Sequence, residues 1–200
     1  MSKNAGKIKN GKAKLITFWS IISLFTLAFI TIVVVMFIES RPFENYDDIK
    51  KADLSLVGEE LFKNPQANDY YVYIYTSNIN NNKIDTIKAE ELKPIIFNYF
   101  NFVRLHSRKK NVVKIFGFDV DNFNNKSVVG KSNSSIESPG FENFQVNEAD
   151  LPILLRVTNG AIETRKISTN DIQDSLQKTM DTVKPVSYEV ILPKKKEFFL

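Results

Sequence analysis

Residues 15–38, LITFWSIISLFTLAFITIVVVMFI, make up 24 consecutive positions without a charge, with Ser and Thr hydroxyls as the recurrent polar groups. At 1.5 Å of rise per residue a helix of this length reaches roughly 36 Å, more than the ~30 Å hydrocarbon core of a bilayer. A buried core helix would be shorter and amphipathic, whereas this run is apolar on every face. A cleaved signal peptide would have an apolar region of about 7 to 15 residues ending in small side chains. This run instead ends in VVVMFIESRP. It reads as a retained single-pass anchor that contacts membrane lipid.

The flanking charges set an expected orientation. Lys3, Lys7, Lys9, Lys12 and Lys14 precede the run without an acid among them, and Glu39, Arg41, Glu44, Asp47 and Asp48 follow it. Excess lysine stays on the cytoplasmic side, so the N-terminus is expected inside and the rest of the chain outside the cell membrane. The hydroxyls at positions 17, 20, 23, 26 and 31 would suit contact with another membrane helix. The expected organisation is a basic cytoplasmic tail over 1–14, the membrane helix over 15–38, a juxtamembrane segment over 39–57, and an extracytoplasmic domain over 58–200 with a C-terminal extension.

Charge placement also argues against nucleic acid as a partner. Of 27 basic residues in the chain, the five lysines stand before the apolar run, which leaves 22 against 23 acidic residues beyond it. The outward part is balanced and offers no basic footprint. The chain has no cysteine, which removes disulfide scaffolds, thiolate metal sites, thiol catalysis and lipoprotein-type acylation.

Beyond the anchor, residues 70–76, YYVYIYT, are β-branched and aromatic with both faces apolar, the pattern of a central strand. A helix capped by Asp85 or Thr86 continues through EELKPIIFNYFNFVRLH, with Pro94 expected to kink it, and is closed by Lys109 and Lys110. Residues 112–120, VVKIFGFDV, make a second strand, so that strand, helix and strand form a βαβ unit with parallel strands. Residues 122–149 are rich in Ser, Asn, Gly and Pro apart from Phe141, Phe144 and Val146, and read mostly as a surface excursion. Runs 152–157 and 161–167 flank Thr158, Asn159 and Gly160, a hairpin signal. A closing helix follows, with Ser168, Thr169 and Asn170 as cap candidates, and residues 187–192, SYEVIL, read as a further edge strand.

That order of elements, with two prolines at set places, resembles the thioredoxin-like superfamily. The resemblance covers roughly residues 58–184 and implies an α/β, three-layer fold. In that family a C-x-x-C pair opens the helix after the central strand, and a proline follows the second cysteine by five residues. Counting back from Pro94 puts Thr86 and Ala89 at the two cysteine positions. The family's cis-proline opens the hairpin, and Leu151-Pro152 has the corresponding place. The resemblance then implies a groove beside Leu151 and Pro152 facing an extended peptide. The chain departs from the family in lacking both thiols, in the Asn-rich insertion over 78–84, and in the long stretch between Asp121 and Leu151.

A threonine hydroxyl does not attack a disulfide sulfur, so thiol–disulfide exchange is excluded. Other catalytic and metal signals fail as well. The segment VVGKS, residues 128–132, has Asn125 where a phosphate loop needs glycine. The run from Asp119 lacks the glycine and the closing glutamate of a calcium loop. His106 stands alone among cations, with no second imidazole for a metal and no acid to orient it. No metal site, cofactor or catalytic residue is expected, and the chain is not expected to be an enzyme. The expected role is a redox-inactive, membrane-anchored binding or scaffold module with a protein or extended-peptide partner. The alternative is an accessory subunit of a membrane transporter, secretion or protease complex.

Overall fold

The structure is a computed structural model, and it describes residues 4–39, 41–77, 84–107, 109, 111–137 and 140–183. The Asn-rich insertion over 78–83, the expected strand over 187–192 and the lysine run at 194–196 lie outside the described residues. The chain divides into two units, Met1–Pro42 and Phe43–Leu200.

In the first unit, helix α1 spans Asn4–Glu39. It starts well before the apolar run: Lys and Ala there are good helix formers and no proline interrupts them, which outweighs Gly6 and Gly11. Within it the stretch Gly11–Phe37 is long and apolar enough to cross a membrane, by length and composition. Thr17, Ser20, Thr26 and Thr31 each donate to the carbonyl four residues back, at 2.9–3.0 Å. These hydroxyls are satisfied inside their own helix, which takes away the donors expected to hold a second one.

The second unit is mixed α/β. Its sheet has the order β2-β1-β5-β6, built from β1 (Asp69–Tyr75), β2 (Lys114–Asp119), β5 (Ile153–Thr158) and β6 (Ala161–Lys166). Strand β1 runs parallel to β2 and antiparallel to β5, and β5 pairs antiparallel with β6. Helix α3 (Ile84–His106) makes the crossover between β1 and β2, and α4 (Thr169–Val183) closes the fold. This order is consistent with a thioredoxin-like fold. The hairpin turn places Asn159 and Gly160 at φ 51° and 78°, the two left-handed positions a tight turn of this kind requires. Ser168 Oγ accepts from Asp171 N at 3.1 Å and caps α4.

Strand β1 is apolar on both faces because both are covered. Tyr71, Tyr73 and Tyr75 join a core with Leu92, Ile96, Tyr99 and Phe100 of α3 and Ile172, Leu176 and Met180 of α4. Tyr70, Val72 and Ile74 join a second core with Phe116, Phe118, Val128, Phe144, Val146 and Leu155. The stretch 122–149 is mostly at the surface, as expected, but Val128, Phe144 and Val146 within it are buried. Its few apolar residues cover a sheet face, and two short strands, β3 (Val129–Gly130) and β4 (Val146–Asn147), pair parallel to hold it there. Asn and Ser dominate its composition, but three buried side chains decide its position.

The boundary expected at residue 57 moves to the start of the second unit. Phe43 and Ile49 are buried, and Tyr46 opens the short helix α2 (Tyr46–Lys51), capped by Asn45 through a reciprocal bond with Asp48. Ser55 bridges to Gly117, and Leu56 N and O=C of Leu54 bond that glycine's backbone at 2.8 Å, so residues 54–56 cover the free edge of β2. Phe43, Tyr46, Ile49, Leu54 and Leu56 give this segment more packing than its charged composition suggests.

Candidate functional site

The sheet's topology gathers the residues singled out in the sequence at one end. Because β1 and β2 are parallel, Tyr75 lies beside Asp119; because β5 is antiparallel, its first residue, Ile153, pairs with Ile74. Lys88 Nζ donates to Asp150 O at 2.6 Å, which ties the first turns of α3 to the chain leading into β5. Thr86 occupies the first turn of α3 and Ala89 the next, on either side of Lys88, which bonds the residue before Leu151. The Leu151-Pro152 peptide bond is cis. Pro94 lies inside α3 with its side chain exposed, and the helix runs on through it to His106.

Leu151 is 1% exposed and Pro152 is also buried. Leu151 belongs to the same buried cluster as Phe144, Val146 and Ile153, so its side chain faces the core. The cause is the preceding segment. Asn147 Oδ1 accepts from Ala149 N and starts a single 3-10 turn, Glu148–Asp150, that folds the chain inward just before the proline.

The loop after β2 supplies the other wall. Asp119 is 2% exposed, accepts from Ser77 N and Asp121 N, and lies 2.9 Å from Lys50 Nζ. Thr76 Oγ1 donates to Asp121 Oδ2 at 2.6 Å. Fully buried Asn125 donates to Asp119 O and Leu56 O and accepts from Gly58 N. These bonds fix both ends of a loop that holds Phe123 out at 86% exposure. Ile87, in the opening turn of α3, is 68% exposed.

Behind this end, Tyr46, Tyr73 and Tyr75 stack, with Tyr46 and Tyr75 centroids 4.2 Å apart. Gly117 makes room for them: a Cβ there would lie 3.2 Å from Tyr75 Cε1 and 3.3 Å from Ile49 Cγ2. Burial pushes the Tyr75 and Tyr73 hydroxyls well above the ordinary phenol range, and the negative charge of Asp119 adds to the effect at Tyr75. Both remain neutral phenols near pH 7 and cannot serve as bases. Among the described residues, no three His, Asp or Glu side chains are grouped to hold a metal ion. The chain has no cysteine, so the site cannot exchange disulfides.

Asp119, Lys50, Asn125 and Phe123 were not singled out as site residues from the sequence. Asp119 and Asn125 were read there as part of a failed calcium motif; their role is to hold the loop. Phe123 carried a usable signal, a lone aromatic within DNFNN, since such a polar loop gives an aromatic ring no local core.

No protein-family model matches the chain, and no curated protein matches it. Among solved structures it is similar to oxidised mitochondrial thioredoxin 3 from Saccharomyces cerevisiae, at 11% identity and a TM-score of 0.34, over 60% of this chain and 85% of that one.

Proposed function

We propose that this protein is a redox-inactive, membrane-anchored binding module, held by α1 in the cell membrane with its N-terminus in the cytoplasm and its α/β unit outside. The observation that carries the reading is the exposure of two apolar side chains, Ile87 in the opening turn of α3 and Phe123 in the hydrogen-bonded loop after β2, at the end of the sheet where a thioredoxin-like domain carries its thiols. Evenly solvated loops do not need Phe123 to be held out, and exposed aromatics on a fixed frame are typical anchors for a protein partner. The partner contact is assigned to these two residues. The protein has no catalytic role in this reading.

The test is crosslinking in native membranes with the full chain and with an Ile87→Ser, Phe123→Ser double variant. The proposal expects a defined partner that the wild-type chain captures and the double variant loses while keeping its thermal stability. Equal capture by both would move the contact elsewhere. Capture that follows α1 alone would favour a subunit docked through its membrane helix.

A further inference from the structure

The chain between the apolar run and α3 is short enough to limit which part of α3 can meet the bilayer. Ile38 ends the apolar run, and Phe43 follows five residues later. At no more than ~3.6 Å per residue, Phe43 stands within about 18 Å of Ile38. Phe43 is in turn fixed to α3. Its N–H donates to Asn101 Oδ1 at 2.8 Å, its C=O accepts from Asn101 Nδ2 at 3.2 Å, and its ring meets Phe100 edge-on.

Asn101 is near one end of its helix, which runs from Ile84 to His106. At 1.5 Å of rise per residue, His106 lies roughly 8 Å from Asn101 along the axis and Ile84 roughly 26 Å away. A unit standing on the bilayer by the Ile84 end would hold Asn101 about 26 Å above the surface, and the headgroup layer adds about 5–7 Å down to the hydrocarbon. The chain from Ile38 does not reach that far. Helix α3 therefore lies along the surface or turns its His106 end toward it, and either way the segment after Asn101 is close to lipid.

That segment is basic. Residues 104–114, RLHSRKKNVVK, hold Arg104, Arg108, Lys109, Lys110 and Lys114 without an acid, a local excess inside an outward part that is balanced as a whole. Arg108 and Lys110 lie outside the described residues and count by sequence alone. Lys109 Nζ and Lys114 Nζ donate to backbone carbonyls, Val183 O at 3.4 Å and Gln66 O at 2.9 Å, and neither pairs with a carboxylate among the described residues. Asp69 precedes the β1 residue that faces Lys114, but Arg156 holds it through two bonds of 3.0 Å.

A helix C-terminus favours cations, and Arg104 and His106 already fill the last turn of α3. The further like charges beyond it repel one another, and an anionic surface relieves that repulsion. Leu105, between those two cations, is 76% exposed and suits the boundary of headgroup and acyl chain. Arg104 is held over the Phe43 ring at 4.8 Å, so a cation stands where the chain arrives from the apolar run.

We infer that this end of α3 docks on anionic lipid headgroups, with Lys109 and Lys114 meeting phosphate oxygens and Leu105 entering the headgroup layer. The inference rests on the reading of α1 as a membrane anchor and adds a second, electrostatic contact to it. The opening turn of α3, with Ile87, is left at the end away from that contact.

The chain has no cysteine, so one introduced cysteine takes one label. The full chain with Ser107→Cys carries a bimane and is placed in nanodiscs of phosphatidylcholine, with or without phosphatidylglycerol, that include a lipid with a nitroxide on its headgroup. Ser127→Cys, beyond the Phe123 loop, is the distant comparison. A chain that does not co-elute with the discs would refute the anchor and the docking together, whereas an anchored chain tests docking alone. The inference expects the label at 107 to be quenched more in discs with phosphatidylglycerol than in phosphatidylcholine alone, and the label at 127 in neither. Lys109→Gln with Lys114→Gln should weaken docking about fivefold for each lysine, roughly 25-fold together, with thermal stability kept. Raising the salt from about 0.1 M to about 1 M shortens screening from about 10 Å to about 3 Å and should release the wild-type unit as well. Equal quenching at 107 in both lipids, or in the wild type and the double variant, would mean that chain reach alone holds the segment there, and the inference is overturned. Matching quenching at 127 would overturn it too, as would duplex DNA binding to phosphatidylcholine discs through the same two lysines.

Discussion

Tyr46 stacks on Tyr75 with ring centroids 4.2 Å apart and planes 16° from parallel, so the segment that follows Pro42 is joined directly to the central strand. Tyr46 also meets Phe97 of α3 at 5.3 Å. Tyr46→Ala is expected to destabilise the second unit by roughly 2–3 kcal/mol, from lost ring burial and the gap left behind. Its hydroxyl lies a long 3.5 Å from that of Tyr73, so Tyr46→Phe should cost less than about 1 kcal/mol. Thermal unfolding of the two variants checks this. An alanine variant as stable as wild type would mean that residues 43–57 are not part of the fold.

The central position of β1 gives a harsher test. Ile74 is fully buried between β2 and β5. Ile74→Asp would bury a carboxylate in a cluster of apolar side chains, at a cost of several kcal/mol against a total stability of roughly 5–15 kcal/mol. The second unit should lose its cooperative melt. Retention of a wild-type transition would refute the strand order.

The strands of the main sheet were legible in the sequence because each announced itself by a different signal. YYVYIYT could only be covered on both faces, and Asn-Gly between apolar runs fixed the hairpin. The second sheet face was legible only in part, since Phe144 and Val146 stand out as apolar but nothing in the sequence says what they cover. What covers it is Val128, Phe144 and Val146, scattered through a stretch whose Asn and Ser content points to solvent. Periodicity sees helices and strands, but it does not see single anchors that pin a loop to a distant core. The same limit hid the site walls. Asp119 and Asn125 matter through bonds to Lys50, Ser77, Leu56 and Gly58, partners far away in sequence.

Gly117 is the point where Tyr75, Ile49 and the covered edge of β2 converge. Its N–H and C=O are both bonded to residues 54–56, so the backbone cannot shift to admit a side chain. Gly117→Ala should therefore overpack the site and cost about 1–3 kcal/mol. Denaturant unfolding gives the value directly, and a stabilised alanine variant would show that the Tyr75 ring has room to move.

Alkaline pH should weaken the fold for a stated reason. Burial raises the Tyr73, Tyr75 and Tyr99 hydroxyls above their ordinary value of 10.0. The folded state therefore holds these protons after the unfolded chain has released them. Their contribution is complete below about pH 10 and falls as pH rises beyond it, by about 1.4 kcal/mol per pH unit for each tyrosine. Phenolate absorbance should appear together with unfolding, as one cooperative event. Ionisation of all tyrosines near pH 10 with the fold intact would show that these rings are accessible to solvent.

The expected orientation rests on five lysines before the apolar run and on acids after it. Protease added to intact cells should then remove the α/β unit and leave a fragment containing the apolar run, while the basic N-terminal segment becomes accessible only after the membrane is opened. Replacing the five lysines by glutamine tests the cause as well as the result. With the inside charge gone and Arg41 the remaining flanking cation in the following segment up to residue 48, the bias that holds the N-terminus inside is lost, and a fraction of the chains should become protected over the α/β unit. Protection of that unit in the unaltered chain would reverse the orientation and place the Ile87 and Phe123 surface in the cytoplasm.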